Sequence, residues 1–226
     1  SAPIAGATGP SLTIPSLAQT TTVWVRATNG AGSVDSGSLV VEARASGSSI
    51  VNNAAELNAA IAAAGPGDTI LLANGTWKDV VISLTGQGTA GFPITVGAQT
   101  PGKVILTGSS RAQIGGRYLE LRDLVFSGAY TGSEDEVIQF RTTGSNPASD
   151  SRVTNISLLN YVPASGARTA WVAFYGQRNR LDHSYLKGHD VSGVTVVVWP
   201  DGTPNDHRID HNHFADRKNG GGENGW

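Results

Sequence analysis

The chain has 226 residues, of which 39% are hydrophobic and 15% are charged, and its formal net charge is −2. This composition supports a folded core, and the few, scattered Lys and Arg residues give no basic face for nucleic acid. The absence of Cys excludes disulfides, thiolate metal sites and cysteine nucleophiles. No apolar run is long enough for a transmembrane helix. We therefore expect neither a nucleic-acid partner nor a membrane partner.

The first predicted unit is a β-hairpin. Apolar and polar residues alternate in TTTVWVRATNG, Asn29-Gly30 forms a turn, and Leu39–Val41 is a second apolar run. Residues 11–43 resemble the last two strands of an immunoglobulin-like or fibronectin type III-like β-sandwich. The alternative is a simple hairpin packed on the next domain. We assign residues 1–43 to a partial β-sandwich and residues 44–49 to a polar linker.

A short helix and a strand follow the linker. Asn52 or Asn53 is placed to cap a helix that Gly65-Pro66-Gly67 ends, and residues 69–72 form the strand. One face of the helix carries four apolar residues, Leu57, Ala60, Ile61 and Ala64. A short helix before GDTILLANGTW resembles the opening of pectin-lyase-like right-handed parallel β-helices. In that fold the helix covers the open end of the hydrophobic bore.

A weak internal repeat appears beyond residue 90. Its copies are RYLELRDLVFSG, SRVTNISLLNYV, NRLDHSYLKGHD and HRIDHNHFADRK, and equivalent apolar residues of the last three, Val153, Leu181 and Ile209, are separated by 28 residues each. Second strands are predicted between the copies at residues 137–140, 171–175 and 194–199. This recurrence predicts an all-β solenoid, because each coil buries its apolar side only against its neighbours.

The repeat also bears on the histidines near the end of the chain. Since strand side chains alternate, Ile209 is expected to face the bore, while Arg208 and Asp210 face outward or lie at bends. His183 and His211 occupy equivalent places in successive copies. We therefore expect His183 and His211 to form a stacked structural ladder, and all four histidines, with His207 and His213, to be structural and not ligands of a zinc site.

Residues 50–226 resemble the N-terminal half of polysaccharide lyase family 6, the group of alginate lyases and the dermatan-sulfate lyase chondroitinase B. The resemblance is carried by PITVGAQTPGKVILTGSSRAQIGG, YLELRDLVFSGAY, WVAFYGQRNRLDHSYLKG, VTVVVWPDGTPNDHRIDHNHF and GGGENGW. It implies a right-handed parallel β-helix, truncated here, and a calcium-assisted β-elimination. Calcium would neutralise the C6 carboxylate of a uronic acid so that a base can remove the C5 proton.

The same resemblance assigns Asn224, in GENGW, to the calcium site. The family's two closely spaced Glu residues, its Lys base and its Arg would fall past residue 226. Lys218 and Arg217 are the catalytic candidates within the chain, and their alternative is an exposed loop of solvated charges. We therefore expect the chain alone to be inactive and to bind calcium weakly or not at all, a second chain or segment supplying the remaining coils.

Candidate substrate-binding residues are Tyr175, Trp199 and Arg178, whereas Trp171 and Phe174 are expected in the core. The three carboxylates of GSEDEV lack the spacing of a calcium loop and indicate an acidic turn. Alginate is the expected substrate of an exported bacterial protein, secreted or periplasmic. The alternatives are dermatan sulfate and, from a different class, a non-catalytic glycan-binding or cell-surface module.

Overall fold

The computed structural model describes residues 21–41 and 46–217. Contacts divide the chain into two units, Ser1–Ala45 and Ser46–Trp226. In the first unit, β1 (Thr21–Val23) pairs antiparallel with β4 (Leu39–Val41), and β2 (Arg26–Asn29) with β3 (Gly32–Asp35). The predicted hairpin is therefore present, with its turn directly after Asn29. That residues 11–43 are part of a β-sandwich stays a prediction.

The second unit begins with β5 (Ser48–Val51) and α1 (Ala54–Ala63), so the last two residues of the predicted linker belong to a strand. The Asn53 side-chain oxygen accepts a hydrogen bond from the Glu56 backbone N–H at 3.0 Å and caps the helix, as predicted. Leu57 and Ile61 are buried. The helix packs against β5 and two strands of the first coil and covers its bore. No described helix is long and apolar enough to cross a membrane.

The remainder of the unit is the right-handed parallel β-helix that the sequence predicts, with three strands in each coil. Its strands in chain order are β6 (Thr69–Leu72), β7 (Gly75–Lys78), β8 (Val81–Gln87), β9 (Ile94–Ala98), β10 (Val104–Gly108), β11 (Arg111–Arg117), β12 (Leu119–Arg122), β13 (Val125–Tyr130), β14 (Glu136–Gln139), β15 (Arg141–Thr143), β16 (Asn146–Ser149), β17 (Arg152–Thr154), β18 (Ser157–Leu159), β19 (Ala170–Phe174), β20 (Arg180–Asp182), β21 (Tyr185–Lys187), β22 (Val196–Val198), β23 (Arg208–Asp210) and β24 (His213–Ala215).

Three sheets run along the β-helix, one for each strand of a coil. The first has the order β23-β20-β17-β12-β9-β6-β5, and the second has the order β24-β21-β18-β13-β10-β7. The third contains β8, β11, β14, β19 and β22, and the antiparallel hairpin β15–β16 joins it where β16 pairs with β11. All other pairings in this unit's named strands are parallel, so successive coils stack strand on strand.

The bore is filled by apolar residues that stack in register. In the first sheet the stack consists of Ile70, Val96, Leu121, Val153, Leu181 and Ile209. Its members are buried up to Leu181, whereas Ile209, in the last coil that the structure describes, is 42% exposed. The predicted interval of 28 residues is confirmed, because Val153 pairs with Leu181 and Leu181 with Ile209.

The bend between the first and second sheets has the left-handed backbone conformation in four successive coils. Its residues are Asp123, Asn155, His183 and His211, with φ between 49° and 67°. Asp, Asn and His adopt this conformation more readily than most residues other than Gly. The rings of His183 and His211 stack at 4.9 Å with an interplanar angle of 8°. The predicted histidine ladder is therefore confirmed at these two positions.

Candidate substrate-binding site

Three side chains of the third sheet form a column, one from each of three successive coils. Tyr175 and Trp199 directly follow β19 and β22, where Phe174 pairs with Val198. Gln139 pairs with Ala173. Arg141 lies two residues beyond Gln139, and Tyr175 lies two residues beyond Ala173, so the two side chains occupy equivalent positions. We call Arg141, Tyr175 and Trp199 the uronate column, after the uronic acid that the family resemblance leads us to expect as substrate. Its two aromatic members are substrate-binding residues predicted from the sequence.

A single carboxylate connects the members of the uronate column. The Tyr175 hydroxyl donates to Glu136 Oε1 at 2.6 Å, and the Trp199 indole N–H donates to the same oxygen at 3.0 Å. Arg141 Nη2 lies 3.7 Å from the other oxygen, Oε2. The Glu136 side chain is 14% exposed, so these groups replace most of its hydration. The carboxylate therefore ties together three coils of the β-helix.

Arg141 and Tyr175 also contact each other directly. The Arg141 guanidinium carbon lies 3.7 Å from the centroid of the Tyr175 ring, a cation–π geometry, and Arg141 Nε donates to Gln139 Oε1 at 3.2 Å. Burial raises the pKa of the Tyr175 hydroxyl, and its hydrogen bond to the Glu136 carboxylate raises it further. Tyr175 is consequently a protonated donor over the whole physiological pH range.

The solvent-facing part of the site consists of a cation and an indole. Trp199 is 45% exposed, and the Arg141 side chain is 35% exposed. A guanidinium binds carboxylates in a bidentate manner, and an indole face packs against the C–H groups of a sugar ring. The arrangement can therefore bind an acidic sugar by its charge and by its apolar face together.

The third predicted substrate-binding residue, Arg178, has a different partner. Its Nε and Nη2 atoms donate to the two carboxylate oxygens of Asp150 at 2.6 and 2.9 Å. Arg117 binds the same carboxylate at 3.1 Å, and both guanidinium groups lower the pKa of Asp150. The structure thus places Arg178 in an ion pair at the bend before β20, and its role in substrate binding stays a prediction.

Arg217, a catalytic candidate from the sequence, contacts the preceding coil. Its guanidinium donates to His189 Nδ1 at 2.8 Å, to the Gly193 carbonyl at 2.6 Å and to the Thr195 hydroxyl at 3.1 Å. His189 is buried, and burial together with the Arg217 charge lowers its pKa to about 4. These contacts fasten the segment after β24 to the loop before β22. Lys218, the other candidate, lies outside the described residues.

Within residues 21–41 and 46–217, no group of three or more His, Cys, Asp or Glu side chains is placed to hold a metal ion. Asn224 lies outside these ranges. The predicted acidic turn is present between β13 and β14, where the Glu134 carboxylate lies 4.0 Å from Arg111.

The sequence does not reveal the role of Glu136, which the pattern GSEDEV presents as one of three carboxylates in a turn. It is separated from Tyr175 by 39 residues and from Trp199 by 63 residues. The repeat supplies one signal that bears on the site, because an aromatic residue directly follows each of two successive copies of the third strand. That signal identifies Tyr175 and Trp199 but not the acid that both of them bind.

Comparison with known proteins identifies the family. A family model described as Chondroitinase B matches residues 51–226. The structure of the PL6 family alginate lyase AlyGC is 38% identical, with a TM-score of 0.70 over 73% of this chain. The PL6 family polysaccharide lyase Pedsa3628 from Pseudopedobacter saltans is 30% identical, with a TM-score of 0.64 over 75% of this chain. The chain belongs to polysaccharide lyase family 6, the family of chondroitinase B.

A mannuronic acid specific family 6 lyase from human gut microbiota is 29% identical, with a TM-score of 0.71 over 79% of this chain. A search of curated protein sequences returned no match. The chain spans 23% of the AlyGC chain, 38% of the Pedsa3628 chain and 42% of the gut enzyme's chain. It therefore corresponds to less than half of each of these solved lyases.

Proposed function

We propose that the full-length protein is an exported bacterial lyase that cleaves alginate by calcium-assisted β-elimination at uronic acid residues. The single observation that carries the proposal is the 38% identity to the alginate lyase AlyGC over 73% of the chain. The lyase from human gut microbiota, described as mannuronic acid specific, supports a polyuronate substrate. The geometry of the uronate column agrees with such a substrate, because it pairs a guanidinium with an exposed indole.

The described residues would contribute binding and orientation. Arg141 would bind a uronate carboxylate, and Trp199 would pack against the apolar face of a sugar ring. A sugar held at both points has a fixed register along the β-helix, which brings the neighbouring glycosidic bond to one place. In this proposal the uronate column is a subsite, and the proton transfers take place on residues outside the described ranges.

Calcium enters the proposal through the family resemblance. Asn224 would provide an amide oxygen, a ligand type that suits a hard cation. When bound, calcium would offset the negative charge that builds up on the uronate carboxylate as the C5 proton leaves. One oxygen leaves most of the roughly 6–8 ligands of calcium to be supplied by other residues.

A lyase assay on the full-length gene product tests the proposal. Cleavage of alginate creates a 4,5-unsaturated uronate, whose ultraviolet absorbance rises as the reaction proceeds. We expect this absorbance to rise with alginate. The rise should stop when a chelator is added and resume when calcium is added in excess. A product that forms equally well in chelator would refute the calcium proposal, and no product with any polyuronate would refute the lyase proposal.

The 226-residue chain alone is proposed to be inactive and to bind calcium weakly or not at all. Calorimetry with calcium, beside the lyase assay, measures both properties on this chain. Tight stoichiometric calcium binding or measurable turnover would contradict the proposal. Arg217→Ala and Lys218→Ala would then show whether these two candidates carry the activity.

Dermatan sulfate is the second candidate substrate, because the matching family model is described as Chondroitinase B. A sulfated polymer calls for additional cationic groups along the binding face. The uronate column contains one cation, Arg141, and the guanidinium of Arg178 is paired with Asp150. Alginate is therefore the preferred substrate, and digestion of both polymers side by side distinguishes the two.

A non-catalytic glycan-binding module is the alternative from a different class. It predicts that the full-length protein binds alginate without releasing an unsaturated product. Any sequence encoded beyond residue 226 would provide an independent discriminator. The family resemblance implies two closely spaced Glu residues followed by a Lys and a later Arg, and their absence there would favour the binding module.

A further inference from the structure

We infer that Glu136 is a positioning residue for the proposed subsite, holding the aromatic members of the uronate column in the orientation that a sugar ring requires. The inference rests on the proposed function, because the column is assigned to uronate binding there. It goes further in assigning a role to an acidic residue that does not itself bind the substrate. The role follows from hydrogen bonding, from exposure and from charge.

The hydrogen bonds of Glu136 fix the direction of both aromatic side chains. An indole has one N–H donor and a tyrosine has one hydroxyl proton, and both are donated to Glu136 Oε1. Trp199 directly follows the three-residue strand β22 and is nearly half exposed, so packing alone constrains its ring incompletely. The bond to Glu136 selects one orientation of the indole and leaves its face open to solvent.

The neighbours of Glu136 explain why a carboxylate can lie next to a site for an acidic polymer. Its carboxylate is largely covered, accepts two hydrogen bonds and lies 3.7 Å from the Arg141 guanidinium. These neighbours offset the negative charge at short range, and the partly exposed Arg141 presents the positive charge outward. The repulsion of a substrate carboxylate by Glu136 is thereby reduced, while the cation is kept beside the indole.

Glu136 therefore acts through its neighbours and not on the reacting atoms. Its removal should leave the chemical step unchanged and weaken substrate binding, because Trp199 would sample several orientations and Arg141 would lose an anionic neighbour. Glu136→Gln tests whether the hydrogen bonds of Glu136, and not its negative charge, orient the two aromatic rings. The Gln amide oxygen still accepts hydrogen bonds from Tyr175 and Trp199, whereas Glu136→Ala removes the acceptor altogether.

The experiment compares full-length wild type, Glu136→Ala, Glu136→Gln and a matched control, Glu134→Ala. Glu134 lies in the same acidic segment, and its carboxylate is about half exposed and lies 4.0 Å from Arg111. Each protein is also prepared with Trp199→Phe. The contribution of Trp199 to the fluorescence anisotropy is then the difference between the two proteins of each pair. Thermal unfolding confirms that every variant is folded, and kinetics on alginate oligosaccharides gives KM and kcat separately.

We expect Glu136→Ala to lower the Trp199 anisotropy and to raise KM about tenfold at unchanged kcat, the effect of losing about 1.4 kcal/mol of binding. Glu136→Gln should restore the anisotropy and bring KM to within about threefold of wild type, and Glu134→Ala should match wild type in both. Wild-type anisotropy in Glu136→Ala, or an unchanged KM despite lower anisotropy, would overturn the inference. If wild type cleaves no polyuronate, the proposed function fails, and the anisotropy difference still decides whether Glu136 orders Trp199.

Discussion

The Arg217 guanidinium donates to Nδ1 of His189 at 2.8 Å, and this contact defines the charge state of the imidazole. Arg has no acceptor, so Nδ1 must be the unprotonated nitrogen. Nε2 then carries the proton and lies 3.1 Å from the Thr169 carbonyl oxygen, its acceptor. His189 is therefore neutral in the folded protein, in agreement with its lowered pKa.

The first prediction is a loss of stability in mild acid. The pKa of His189 falls from 6.5 to about 4 on folding, so between these values the unfolded chain binds a proton that the folded chain does not. Stability should consequently fall as the pH is lowered from 6.5 towards 4. The contribution of His189 between pH 7 and pH 5 is about 2 kcal/mol. Urea unfolding at the two pH values measures it.

His189→Gln should lose less stability than wild type over the same pH interval, by about the same 2 kcal/mol. His213→Gln, at an exposed position on β24, is the matched control for the substitution itself. Equal losses in wild type and His189→Gln would show that another group causes the acid sensitivity.

The second prediction uses two buried tyrosines that differ in hydrogen bonding. The Tyr161 hydroxyl donates towards the Gly108 and Ser110 carbonyl oxygens at 2.7 and 2.9 Å. Among the described residues, the buried Tyr130 hydroxyl makes no hydrogen bond of standard geometry and has only a weaker contact with the Glu134 backbone. Tyr161→Phe should therefore lower the free energy of unfolding by about 1–2 kcal/mol. Tyr130→Phe should be neutral or slightly stabilising. Chemical unfolding at neutral pH gives both values, and an equal loss in the two variants would contradict the assignment.

The architecture was predictable because its signals are local or periodic. The cap at Asn53 is encoded within four residues, and the stack of Val153, Leu181 and Ile209 recurs at a constant interval. Each signal reflects one physical requirement, the unsatisfied N–H groups of a helix end or the burial of a strand face. Such requirements can be read without knowing which coils are neighbours.

The candidate site could be predicted only in part, because its hydrogen bonds connect different coils. Tyr175 and Trp199 stand out as aromatic residues at strand ends, but Glu136 is recognised only when the third sheet is assembled. Arg178 shows the opposite case. Its charge predicts a substrate contact, which stays a prediction, while its carboxylate partner, Asp150, lies 28 residues earlier and is not apparent from the sequence.

The third prediction concerns backbone contact between coils at Gly116. A Cβ atom built on Gly116 would lie 2.1 Å from the Gly86 carbonyl oxygen, and its φ of 123° is one that L residues rarely adopt. Gly128 has a φ of 89°, but a Cβ atom there would meet nothing within 4 Å. Gly116→Ala should therefore be more destabilising than Gly128→Ala, by about 2 kcal/mol or more. Thermal or urea unfolding measures the difference, and equal stability of the variants would argue against this close approach.

The fourth prediction compares the contributions of Arg141, in the proposed subsite, and Arg178 to substrate binding. Arg141→Ala should raise KM for alginate oligosaccharides about tenfold, since it removes the cation of the uronate column. Arg178→Ala should raise KM less than Arg141→Ala, because Asp150 already engages its guanidinium. Steady-state kinetics of the two full-length variants tests both statements. A larger KM effect for Arg178→Ala would transfer the substrate contact to Arg178.

The in-register stacks of the β-helix also determine how this chain can change in length during evolution. Duplication or loss of a whole coil leaves each remaining strand with a matched neighbour, whereas one residue inserted into β20 would turn Leu181 away from the bore. The coil from Leu121 to Val153 is four residues longer than the next one, and it accommodates the β15–β16 hairpin without disturbing either stack member. Insertions are thus absorbed between strands, and each sheet lengthens or shortens in steps of one strand spacing, about 4.8 Å.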